Sequence, residues 1–221
     1  MMKKLMVISA LFGSLVLTAC SSPQPYDYTA FKESKPRSIL VMMPTDMTNE
    51  VKAAPAVLAQ SVVPLAEAGY YVFPVALVNE TFKRNGLTQA QEIQNVKASK
   101  LQEIFNADAG LYLNVKEYGV NYQVFNSVTK VAVEGKLIDL RNGKLLWEGE
   151  AEVQDDGGRI NSSNPLIDLI AVAVKQVVNQ VSDNGYNVSA LANAKLLQTG
   201  VNKGLLYGPY HPNYGKDPQV K

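Results

Sequence analysis

Cys20 is the one thiol among 221 residues, and it closes the run Leu17-Thr18-Ala19-Cys20. Ahead of it stand Lys3, Lys4 and an apolar stretch from Leu5 to Leu17. A charged start, a short apolar middle and small residues at a cut make a secretory leader. A cysteine just after the cut supplies a sulfur nucleophile. The expected chemistry is attachment of diacylglycerol to the Cys20 sulfur, removal of residues 1–19 and acylation of the new amino terminus. Two or three acyl chains would hold firmly, at about 0.8 kcal/mol for each buried methylene. The competing reading is a transmembrane helix. That needs about 20 apolar residues, and this run is shorter and broken by Ser9, Gly13 and Ser14.

Other chemistry is scarce. His211 is the single histidine, so a Ser-His-Asp arrangement would depend on it. The mature chain has no Gly-x-Ser-x-Gly elbow and no glycine loop followed by Lys-Ser or Lys-Thr. With Cys20 acylated, neither a disulfide nor a zinc site of His and Cys can form. Carboxylates alone can run acid–base chemistry, as in glycosidases, but the acids are scattered. Asp155-Asp156 could hold calcium, yet the alternating acids and closing glutamate of such a loop are missing, and a solvated turn is the simpler reading. No enzyme, cofactor or metal is expected.

The segment Gly204-Leu205-Leu206-Tyr207-Gly208-Pro209-Tyr210-His211-Pro212-Asn213-Tyr214-Gly215 gathers rings among glycines and prolines. Tyr and His combine an apolar body with a polar tip at low entropic cost, which suits interfaces. Tyr207, Tyr210, His211 and Tyr214 are therefore candidate interaction residues. The alternative is a strap that packs these rings onto its own domain.

The elements that would position this tail follow from periodicity. Ser38 to Met43 is a continuous apolar run, as in a strand buried on both faces. Pro55 suits the first residue of a helix reaching Ala68, with Pro64 inside and Gly69 as its stop. Tyr70 to Val75 reads as a second strand, parallel to the first. Thr88 with Gln91, and Ser99 with Gln102, have capping-box spacing, which predicts helix between about 88 and 106 with Leu101, Ile104 and Phe105 inward. Period two then takes over. Leu111, Leu113 and Val115, then Val120, Tyr122 and Val124, then Val131, Val133 and Leu137, then Leu145, Trp147, Ala151 and Val153 should face a core. Asn142-Gly143 between two of these runs predicts a hairpin with positive φ at both residues. Asp155 to Gly158 reads as a turn, and residues 165–181 as a helix capped by Asn164 and ended by Gly185, with another from about Ser189 to Gln198.

The predicted fold is α/β (α+β mixed): one domain whose mixed β-sheet begins with a parallel βαβ unit and continues as an antiparallel meander, with helices packed on one face. Residues 1–19 are the leader, 20–36 a lipidated flexible tether, 37–199 the domain and 200–221 the Tyr/Gly/Pro-rich tail. Removing the leader leaves 19 basic against 20 acidic residues, a balance that gives no footprint for nucleic acid.

With Leu17 to Cys20, Phe105-Asn106-Ala107-Asp108-Ala109-Gly110-Leu111-Tyr112, Leu145-Leu146-Trp147-Glu148-Gly149 and Leu206-Tyr207-Gly208-Pro209-Tyr210 in view, the chain resembles a family of Gram-negative outer-membrane lipoproteins of unknown function. The resemblance covers nearly the whole mature chain. It implies an α/β domain similar to the amino-terminal domain of TolB, and a role in envelope assembly or export beside a lipoprotein like the curli export pore. It assigns no functional residue beyond Cys20. Ser21, rather than Asp, after the cysteine favours the outer membrane, with the periplasmic face preferred to the cell surface. The leading expectation is a non-catalytic, membrane-anchored adaptor for envelope proteins, able to self-associate. The alternatives are a binding protein for a lipid, glycan or peptidoglycan fragment, and a carboxylate hydrolase.

Overall fold

In the computed structural model, which describes residues 25–122, 127–155 and 184–220, the run from Ile39 to Met42 lies inside one mixed sheet, one strand in from its edge. Strands β1 (Ser38–Val41), β2 (Thr45–Asp46), β3 (Tyr71–Val72), β4 (Ala109–Tyr122), β5 (Ser127–Asp139) and β6 (Leu145–Asp155) follow in chain order. Spatially they run β3-β1-β4-β5-β6, with β2 beside β4. Pairings of β1 with β3 and β4, and of β2 with β4, are parallel; β4 with β5 and β5 with β6 are antiparallel. The parallel start and the antiparallel meander are both as expected.

Because strand side chains alternate, β1 feeds two cores. Ile39 and Val41 join a large cluster under α1 (Thr29–Ser34), α2 (Ala53–Glu67) and α6 (Asn184–Leu196). Leu40 and Met42 join a smaller one with Val78 and Phe82 of α3 (Val75–Arg84), Ile93 of α4 (Ala90–Gln94) and Leu101 of α5 (Ala98–Phe105). Helices thus cover both faces at the parallel end, not the single face expected. The meander keeps one wet face, where Lys130 bridges Glu117 and Glu152 at 3.1 Å each and Lys116 meets Glu134 at 3.1 Å.

Two irregularities reset the alternation. On β4 the register slips between Val115 and Glu117, which carries the inward face from Val115 to Tyr118. Val120, paired with buried Thr129, lies on that face as expected but near the strand's end, and is nearly half exposed. On β6 it slips between Trp147 and Leu145, so Leu146 takes the buried position and Leu145 is left outside. Each bulge adds one residue to the strand and resets the alternation. Trp147, Ala151 and Val153 face inward as predicted. The hairpin is present, but only Gly143 has positive φ, at 75°. Gly143 N–H donates to Asp139 O (2.8 Å) and Asp139 N–H to Lys144 O (2.9 Å), so the loop is longer than a two-residue turn.

The helix boundaries also move. Pro55 is the third residue of α2, where its missing N–H still falls among the helix's unpaired donors; Gly69 ends it as expected, at φ 90°. The second strand shrinks to Tyr71–Val72, and Val75 opens α3. Thr88 and Ser99 cap nothing: extended backbone at Gln89 and Lys97 (ψ 136° and 135°) starts α4 and α5 instead. Leu101 and Phe105 turn inward, but Ile104 lies on the shoulder of the short α5 and is nearly half exposed. Asp155 ends β6 in a buried position rather than opening a solvated turn, and Gly185 lies within α6. The helix expected at residues 165–181 lies outside the described residues, as do Gly157, Gly158 and Val124.

Candidate functional site

Residues 26–36, expected within a tether, are part of the folded body. Tyr28, Phe31 and Pro36 are buried. Ser34 Oγ donates to Asp139 Oδ2 (2.7 Å), and Arg141 Nη2 donates to both Ser34 O (2.8 Å) and Asp139 Oδ2 (2.6 Å). Arg141 Nε (3.0 Å) and N–H (2.8 Å) fill Asp139 Oδ1. Burial pushes the Asp139 carboxyl up, and the bonds from Arg141 and Ser34 more than offset this and hold it below its ordinary value. A carboxylate with both oxygens so occupied serves to latch α1 to the hairpin and has no lone pair left for a substrate.

The tail lies against this amino-terminal segment. Tyr28 OH donates to Gly204 O (2.6 Å), Tyr70 OH to Leu206 O (2.6 Å) and Trp147 Nε1–H to Lys203 O (2.8 Å). Burial pushes the Tyr28 phenol up to about 12 and raises that of Tyr70 well above its ordinary value, so both stay neutral donors. Room for the indole comes from glycine: Gly135 pairs with Gly149 across β5 and β6, and a Cβ at Gly149 would meet the Trp147 ring at 2.6 Å. Backbone closes the strap further on. Gly208 N–H donates to Ala68 O (2.7 Å) and Tyr210 N–H to Gly69 O (3.1 Å). Here the two segments touch so closely that a Cβ on Gly208 would overlap Gly69 O, and one on Gly69 would overlap His211.

These contacts divide the four candidate interaction residues. Tyr207 and His211 stack face to face with centroids 4.2 Å apart, and Tyr207 N–H donates to Asp217 Oδ1 (2.7 Å). Tyr210 is 69% exposed and Tyr214 45%. The strap therefore packs through its first part and turns two tyrosines outward in its second. Between α1 and the tail lies a groove of about 640 Å³, floored by Phe31, Tyr70, Leu206 and Val220 and edged by Lys32, Lys35 and Lys216. Sequence reasoning missed this groove, because its two walls are about 170 residues apart in the chain. A second groove, of about 720 Å³ near Trp147, is lined by lysines and glutamates together.

Among the described residues, no group of three or more His, Cys, Asp or Glu could hold a metal ion, and no helix is long and apolar enough to cross a membrane. Cys20 lies outside them.

Residues 26–210 match the family model described as "Putative lipoprotein GNA1162-like". The chain belongs to this lipoprotein family. A curated relative, "Putative lipoprotein NMB1124/NMB1162" of Neisseria meningitidis serogroup B, is 46% identical over 206 residues, covering 92% of this chain and 95% of the relative. The crystal structure of lipoprotein GNA1162 from Neisseria meningitidis superposes with a TM-score of 0.55 at 45% identity, over 66% of this chain and all of that one. The match reaches from Tyr26 to Tyr210, so the latch, the sheet and the packed part of the strap all belong to the family's domain. It bears out the family resemblance drawn from the segments at residues 105–112, 145–149 and 206–210, which lie within it, whereas Leu17 to Cys20 lie ahead of it.

Proposed function

We propose that this protein is a lipid-anchored envelope lipoprotein acting without catalysis as an adaptor. Cys20 is its acylated anchor, the periplasmic face of the outer membrane its site, and the outward half of the tail its partner-binding surface. One observation carries the reading: Tyr210 and Tyr214 stand exposed on a segment that hydrogen bonds fix to the domain at Tyr28, Ala68, Gly69 and Tyr70. Exposed tyrosines on a rigid mount bury much area on binding while losing little conformational freedom, which is what an interface anchor needs. Membership in a lipoprotein family supports the anchor. The occupied oxygens of Asp139 support a structural, non-catalytic role for the best-buried carboxylate among the described residues.

The proposed partners are envelope proteins, including a lipoprotein like the curli export pore, and a second copy of this chain. Photocrosslinking in intact cells from position 210 tests this. The expected result is a discrete adduct that disappears in a Tyr214→Ala background and is absent from a probe at Gln154 on the wet sheet face. Equal adducts from positions 210 and 154, or none from 210, would refute the adaptor surface. Mass spectrometry of the purified chain tests the anchor, with an unmodified Cys20 as the defeating result.

A further inference from the structure

The groove between α1 and the tail differs in kind from the other cavities. Its volume of about 640 Å³ falls within the range of about 300–1,000 Å³ usual for ligand sites. Its floor is apolar and aromatic, and the charges at its edge are unbalanced. Lys32, Lys35 and Lys216 face one acid, Asp217, and that acid already accepts the Tyr207 N–H at 2.7 Å. Asp27, just ahead of α1, accepts Thr29 N–H at 2.8 Å, and its bonding to Thr29, helped by the charge of Lys32, holds its carboxyl down. Among the described residues none of the three lysines makes an ion pair within 4.0 Å, so Asp217 and Asp27 leave the lysines in excess. Lys35 is, moreover, fixed in the left-handed region (φ 47°) by its N–H bond to Phe31 O at the end of α1. A non-glycine residue is kept there at a cost, and Lys35 stands exposed at the edge of the groove.

An excess of positive charge around an apolar floor fits an amphiphile with an anionic head. The chain itself points to the source. From Cys20 to Tyr26 an extended backbone spans at most about 20 Å, so an acylated Cys20 keeps the groove within reach of the bilayer and its lipids at high effective concentration. We propose that this groove docks onto the membrane by taking an anionic phospholipid from it, with the phosphate between Lys32, Lys35 and Lys216 and the start of an acyl chain over Phe31, Leu206 and Val220. The proposal rests on the anchor reading for the source of the lipid, and the groove chemistry stands apart from it.

The test uses the full chain, purified from its membrane, in phosphatidylcholine nanodiscs with increasing phosphatidylglycerol. Hydrogen exchange of residues 26–36 and 204–220 is the readout. Protection is expected to rise saturably with phosphatidylglycerol and to weaken with salt. Each lysine near the surface contributes about fivefold in affinity. The triple variant Lys32→Gln/Lys35→Gln/Lys216→Gln would then need about 100-fold more lipid, while keeping the wild-type melting temperature. Protection that is equal in pure phosphatidylcholine, reproduced by soluble glycerol phosphate, unchanged in the triple variant or absent throughout overturns the proposal. A chain that fails to enter phosphatidylcholine discs because Cys20 is unmodified defeats the anchor reading instead. Its response to phosphatidylglycerol discs still decides the groove.

Discussion

Replacing Tyr70 by Phe removes one oxygen and nothing else, and the strap gives that oxygen a measurable value. Tyr70 is 4% exposed and Leu206 6%, and the phenol reaches the Leu206 carbonyl at 2.6 Å. The carbonyl has no other partner among the described residues, so the variant leaves a buried acceptor unsatisfied. Such a loss costs about 1–3 kcal/mol. For a domain of this size each kilocalorie moves the melting temperature by about 2–4 °C, so a central cost of about 2 kcal/mol predicts a fall of about 4–8 °C. Thermal and urea unfolding followed by circular dichroism give the global figure. Hydrogen exchange shows whether residues 205–210 open first. Tyr210→Phe is the control, because its exposed ring predicts a change within about 0.5 kcal/mol. If Tyr70→Phe melted with the wild type, water would be reaching the Leu206 carbonyl and the strap would be a surface ornament rather than part of the fold.

Arg141→Gln leaves the Asp139 carboxylate with only Ser34 Oγ and the backbone N–H of residue 141 beside it. Because the Arg141 side chain is 42% exposed, the expected loss is about 1–3 kcal/mol rather than the full cost of breaking a buried pair. Urea midpoints check this, and a loss under about 1 kcal/mol would contradict the latch. In the native chain the folded Asp139 carboxyl lies below its ordinary value of 3.8, so its contribution is complete above that pH and fades as pH falls below it. The slope of stability against pH in that acid range should flatten in an Asp139→Asn variant. Gly149→Ala drives a methyl into the Trp147 ring, 2.6 Å away, with an expected loss of about 1–3 kcal/mol and a loosening of the Lys203 contact visible in Trp fluorescence. Wild-type stability and emission would show that the indole has room to spare.

What could be read from the chain was whatever had its partner close by or repeated a short period. The doubly buried β1, the alternation of Leu111, Leu113 and Val115, the inward Trp147 and the hairpin at Gly143 were all legible, because a strand's period and a tight turn are local facts. The α3 helix carries a local signal too, with Val78 and Phe82 four apart and Lys83 and Arg84 in its last turn, although no capping side chain marks its start. Bulges were not legible: nothing in Leu145-Leu146-Trp147 says which leucine turns inward until β5 sets the register. Nor was α1, six residues whose burial depends on Gly204, Asp139 and Arg141 far along the chain. Of the candidate site, the rings of the tail were visible from composition. Their division into packed Tyr207 and His211 and outward Tyr210 and Tyr214 was not, since the close approach of Gly208 to Gly69 makes it.

The placement of α1 beside the tail and the hairpin bears on how the domain meets mechanical load. A pull on the chain ahead of Tyr26 arrives first at the bond from Glu148 N–H to Tyr26 OH (2.9 Å), then at Tyr28 on Gly204, then at Ser34 on Arg141 and Asp139. Tension is thus divided among the β6 edge, the tail and the β5–β6 loop before any of it reaches β1, and that doubly buried strand stays unloaded until all three give way.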